Sequence, residues 1–109
     1  MERREKLRAC EELGDIPEQA YDELLRLHAD TTREQVASLT AASERGDLKS
    51  VRELAHAIKG ASANLRLDSL TRVAKAVEEA VDRKLPADRI ARALSGLRES
   101  LSDLEREVG

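Results

Sequence analysis

The chain has two histidines, His28 and His56, and one cysteine, Cys10, the side chains best suited to nucleophilic or metal chemistry near neutral pH. Of the three, His56 has the most unusual setting: Leu54-Ala55-His56-Ala57-Ile58-Lys59-Gly60-Ala61-Ser62-Ala63-Asn64-Leu65. Val51, Leu54, Ala55, Ile58, Ala61, Ser62 and Leu65 recur at steps of three and four, the pattern of an amphipathic helix. At about 100° per residue His56 points away from that stripe, and Lys49, Arg52, Lys59, Gly60 and Ala63 fall within roughly 60° of its direction. The outward face is then one imidazole, three cations and two positions almost without side chain. A glycine inside a helix costs about 1 kcal/mol relative to alanine and needs a reason. One reading is a nucleophilic imidazole that carries a phosphoryl group, with Gly60 leaving space for that group and a docking partner, and Lys59 steadying the charge. On this reading the neighbouring cations disfavour the protonated ring and keep it nucleophilic. The other reading is a surface histidine next to a glycine that lets another helix pack closely. Composition and periodicity leave both open.

His56-Ala57-Ile58-Lys59-Gly60-Ala61-Ser62-Ala63-Asn64-Leu65 resembles the signature of histidine-containing phosphotransfer (HPt) domains: His, any residue, an aliphatic, Lys-Gly, then small residues. Arg45-Gly46-Asp47 is similar to the Gly-Asp with which the family usually opens this helix. Leu70 and Val77-Glu78 stand where the family tends to have a leucine and an aliphatic-Glu pair, and Leu25 to Thr31 is similar to its upstream helix, with His28 where a phenylalanine is common. The likeness covers roughly residues 16 to 84, and its one marked departure is Arg66, where the family usually has a glycine.

The resemblance implies a stand-alone phosphorelay intermediate. A receiver domain of a response regulator or hybrid sensor kinase would dock over His56 and donate a phosphoryl group from its aspartyl phosphate, and His56 would hold it as phosphohistidine and pass it to another receiver. Lys59 would offset phosphoryl charge, while Gly60 and Ala63 keep the approach open. Arg52 and Lys49 would steer an acidic receiver surface. Asn64 would either touch the partner or cap its own helix. No cofactor of the chain's own is expected; Mg²⁺ and the acidic pocket belong to the receiver. A sensor kinase's dimerisation helix would instead set its histidine beside an acidic residue and a Thr-Pro pair, which Ala57-Ile58-Lys59 does not match, and no kinase activity is expected.

These residues need a frame to hold them. At 109 residues, with 38% charged, scarce Gly and Pro, and an apolar set of Leu, Ala, Val and Ile, the chain reads as one all-α domain with a modest core. Residues 1–13 form a short peripheral helix, with Leu7, Cys10 and Leu13 at helical spacing, and Gly14-Asp15 ends it. Pro17 opens a helix whose stripe runs Tyr21, Leu24, Leu25, His28, Thr32, Val36, Leu39, Ala42. One long helix to Arg45-Gly46 keeps that phase, although Thr32 with Gln35 resembles a capping box that would break it. His28 shares the inward stripe and is expected to be structural; Leu24 and Leu27 flank it and would suit docking. Asp47 caps the His56 helix, which runs to about Leu65. The next helix starts at Asp68 and turns Leu70, Val73, Ala74, Val77, Ala80 and Val81 inward, ending at Lys84-Leu85-Pro86. The last starts at Pro86 or Ala87 and carries the seam Ile90, Leu94, Leu97, Leu101, Leu104, Val108, with Gly96 beside it for close helix contact. The expected architecture is an antiparallel four-helix bundle over about residues 16–108, plus the short N-terminal helix.

Several functions fall away. With one aromatic residue, Tyr21, and a net charge of −3, neither base stacking nor general phosphate attraction fits, so nucleic acid is not the expected partner. No apolar run approaches the ~20 residues that span a bilayer. The charged N-terminus does not read as a secretory signal, and a lone cysteine suits a reducing, cytoplasmic setting. Glu53-x-x-His56 is half of a di-iron motif, but Leu25 stands where the matching glutamate to His28 would be, so no metal site is expected. A monomer is the expected state. The alternative from a different class is a helical adaptor that binds a partner without transferring anything, and the exposure of His56 discriminates the two.

Overall fold

The structure, a computed structural model, describes residues 1–109. It is entirely helical: α1 Arg3–Glu12, α2 Glu18–Glu44, α3 Leu48–Asn64, α4 Asp68–Asp82 and α5 Ala87–Val108. The three turns that join α2 to α3, α3 to α4 and α4 to α5 are too short for anything but antiparallel neighbours. α3 packs on α2 and α4, and α5 closes the bundle by packing on both α4 and α2. The apolar stripes meet in the middle, where Tyr21, Leu39, Val51, Ile58, Val77 and Leu97 are fully buried. Burying one such aliphatic side chain contributes roughly 1.5–3 kcal/mol.

The turns show why the helices stop where they do. The Asp47 carboxylate accepts from the Ser50 backbone N–H at 3.2 Å and from the Ser50 hydroxyl at 2.7 Å, which satisfies a free donor at the start of α3. Gly46, at φ +75°, is the left-handed residue that ends α2. α2 is one unbroken helix of 27 residues. The capping box that would have split it does not form, because Thr32 is fully buried and its hydroxyl lies 3.3 Å from His28 Nε2. A side chain turned into the core cannot also cap a helix start.

α1 packs only on α2 and buries Ala9 and Cys10. Leu7, at helical spacing from Cys10, faces solvent beside Arg3, Arg4 and Arg8. Ala9 and Cys10 tie the helix to the core, and ion pairs surround that contact: Arg3 to Glu18, Lys6 to Asp22 at 2.7 Å, Glu12 to Arg66 at 2.8 Å, and, from just before the helix, the Met1 amino group to Glu107. Gly96 sits where α5 meets α4, but a Cβ placed there would lie 3.9 Å from Val73 Cγ1, an ordinary contact. Close approach therefore does not require this glycine.

Candidate functional site

α3 presents two faces, as its sequence pattern demands. Val51, Ala55, Ile58 and Ser62 are buried, while Arg52, His56, Gly60, Ala63 and Asn64 are exposed. The His56 side chain is 63% exposed. A Cβ placed on Gly60 would meet nothing within 4 Å, so the position one turn along from the ring is open space. The glycine does not serve helix packing.

A residue from the neighbouring helix completes the arrangement. Glu78 of α4 has a side chain only 8% exposed, and its two oxygens are shared between two partners on α3. Oε2 lies 2.6 Å from His56 Nδ1 and Oε1 lies 2.6 Å from Lys59 Nζ. The Lys59 hydrogen bond, reinforced by that from His56, holds the Glu78 carboxyl below the usual carboxylate range against the opposing effect of burial. At neutral pH the group is thus a carboxylate, an acceptor with no proton to give. His56 Nδ1 must be the donor. A neutral ring with its proton on Nδ1 keeps the lone pair on Nε2, at the edge away from Glu78. The carboxylate fixes both the tautomer and the orientation of an otherwise solvent-exposed imidazole.

The cations expected around the ring are not all free. Lys59 is matched by Glu78, and Arg52 Nε lies 2.6 Å from Asp82 Oδ1. Lys49 alone among the three has no ion pair and is exposed. Ala63 is exposed on the same face as Gly60. The Asn64 side chain caps nothing; the end of α3 is closed by Arg66, whose Nη1 donates to the carbonyls of Ala63 at 3.2 Å and Asn64 at 3.0 Å.

Arg66 also accounts for the missing glycine in the motif. Its φ is +63°, the left-handed conformation that glycine adopts at no steric cost. For a residue with a Cβ the penalty is of order 1–2 kcal/mol. The carbonyl contacts and the Glu12 pair at 2.8 Å offset it.

Glu78 was legible only as half of an aliphatic-Glu pair. Its position offered a stronger signal: it lies next to Val77 and between Ala74 and Val81 on the inner side of α4, and a charge so placed calls for a partner. His28 is buried as its stripe requires, with Nε2 2.9 Å from Ser62 Oγ across the α2–α3 contact. Burial lowers its pKa from the ordinary value of 6.5, so it stays neutral. Leu24 and Leu27 flank that contact on the outside of α2; Leu27 is 65% exposed.

A family model described as the Hpt domain matches residues 23–107. The chain belongs to the Hpt domain family. Domains of this family serve phosphorelays in two-component signalling. No curated protein and no solved structure gives a significant match. The matched residues begin after α1 and the first turn of α2, so Glu12, which pairs with Arg66, lies outside them. No helix of this Hpt chain is long and apolar enough to cross a membrane.

Proposed function

We propose that His56 is the phospho-acceptor of a phosphorelay: it takes a phosphoryl group from the aspartyl phosphate of one receiver domain and passes it to another. The observation that carries this reading is an exposed imidazole whose Nδ1 is tied to a buried carboxylate, leaving Nε2 as the free nitrogen, with open space at Gly60 one turn along the helix. The Nε2 lone pair attacks phosphorus in line, the N–P bond forms, and the acyl P–O bond breaks with its electron pair leaving on the receiver's carboxylate. The ring keeps its Nδ1 proton and becomes cationic, 2.6 Å from Glu78 Oε2. Return of the phosphoryl group to another carboxylate reverses each step, so no proton has to be moved.

Lys59 has three N–H donors, and one goes to Glu78, which leaves two for phosphoryl oxygens. Gly60 and Ala63 keep the approach clear. Lys49, and Arg52 in part, give the face the positive charge that steers an acidic receiver surface, an effect salt weakens. Leu24, Leu27 and Asn64 add contact area beside it. The receiver brings its own acidic pocket and Mg²⁺, the encounter takes place in the cytoplasm, and the chain acts as a monomer.

The exposed ring supports transfer over the purely adhesive role of an adaptor, for which a covered His56 would be expected. Mixing the protein with a labelled phospho-receiver tests the reading. Acid-labile, base-stable label should appear on the chain and disappear in His56→Gln. Equal labelling of that variant overturns the assignment.

A further inference from the structure

Beyond the His56–Lys59 pair, the bundle brings a second lysine to the same opening. α3 and α4 run antiparallel, and two sets of contacts fix their register. Glu78 stands level with the His56–Lys59 turn, and Asp82 stands level with Arg52. One turn from Glu78 toward the start of α4 is Lys75, which this register sets level with Gly60. Offsets of three and seven residues put Lys75 on the same stripe of α4 as Glu78 and Asp82, the stripe that borders α3. Its side chain is 61% exposed, and its one ionic partner is Glu79 on its own helix, with Nζ 3.8 Å from Oε1. Solvent-exposed pairs of that kind hold a lysine only weakly. Across from it, the position at Gly60 is empty to 4 Å.

We propose that Lys75 reaches over the Gly60 gap and is the second cation that binds the phosphoryl oxygens of phosphorylated His56. The inference rests on the phosphohistidine reading. Lys59 is only 28% exposed and its charge is already matched by Glu78, so a second cation would add to what its two remaining N–H donors give a phosphoryl dianion on Nε2. A helical turn spans about 5.4 Å, and a lysine side chain is long enough to bridge it. The gap at Gly60 then serves two ends: it admits a partner and lets a side chain from α4 cross α3. A larger residue at position 60 would block both.

The test uses the whole chain phosphorylated with phosphoramidate, a small donor that needs no receiver. The Nε2–P bond forms, the donor's P–N bond breaks, and ammonia leaves with a proton from water. Mass spectrometry locates the group, and ³¹P NMR follows the pH at which the phosphoryl dianion takes up its proton. A cation about 6 Å away in a water-like medium lowers that midpoint by roughly half a pH unit. Lys75→Ala should raise the midpoint by that amount with thermal unfolding unchanged, Lys75→Arg should restore it, and Lys75→Glu should raise it further. Equal midpoints in wild type and Lys75→Ala overturn the role of Lys75 and leave the acceptor role of His56 intact. Phosphoramidate failing to label His56 in the wild-type chain overturns both.

Discussion

Replacing Glu78 by glutamine isolates the charge from the shape. The amide oxygen can still accept from His56 Nδ1, but the negative charge that faces the ring is gone. In the transfer step the imidazole goes from neutral to cationic within hydrogen-bond distance of that carboxylate, Nδ1 to Oε2 being 2.6 Å. Two unit charges about 4 Å apart attract by about 4 kcal/mol at an effective dielectric of 20 and about 1 kcal/mol in water. The ring is 63% exposed, which places the pair toward the weaker limit, about 1–2 kcal/mol. Phosphoryl acceptance should therefore slow by roughly 5- to 30-fold. Rapid-quench measurement with a labelled phospho-receiver reads this directly. Glu78→Ala should slow acceptance further, because it also frees the ring to place its proton on Nε2, and ¹⁵N chemical shifts of the imidazole report that exchange. A folded Glu78→Gln protein that accepts phosphate within twofold of the wild-type rate would refute the argument that this carboxylate stabilises the charged ring. A ring that stays in the Nδ1–H form in Glu78→Ala would refute its role in setting the tautomer.

Gly60→Leu should abolish receiver-dependent labelling of His56 while circular dichroism shows unchanged helix content, since a Cβ there meets nothing and leucine favours the helix; normal transfer would show that the gap is irrelevant. Buried His28 has its pKa lowered from 6.5, so as pH falls through 6.5 the unfolded chain binds a proton that the folded one does not. Stability should therefore decline from about pH 6.5 downward and level off below the folded-state pKa, and chemical denaturation of His28→Leu should lack that decline. Glu78, with its carboxyl held below the ordinary 4.5, adds the corresponding loss at lower pH, which Glu78→Gln should remove.

The helices were legible because burial repeats with the helical period. His28, Val51, Ile58, Val77 and Leu97 each fall on an apolar stripe and each is buried. Gly46-Asp47 signals a stop and a start through chemistry confined to a few neighbouring residues. The spacing of Leu7, Cys10 and Leu13 did not decide which side of α1 faces the bundle, because three turns of helix carry too few positions; burial of Ala9 and Cys10 settled it. Thr32 with Gln35 did not break the helix, as the unbroken phase of its stripe required, because a capping box is a local option open only to a hydroxyl that the core does not claim.

From the sequence alone came the all-helical bundle, the outward direction of His56, the family likeness, and the emptiness one turn beyond the imidazole. The bundle follows from apolar stripes repeated in successive helices, the likeness from the residue types around His56, and the direction of His56 and the gap at Gly60 from spacing within one helix. The tertiary structure alone decided which partner each charge has. Glu78 lies 22 residues from His56, Asp82 lies 30 from Arg52 and Glu12 lies 54 from Arg66. Pairings over such distances depend on the register of one helix against another, and that register is set by the packing of the whole core.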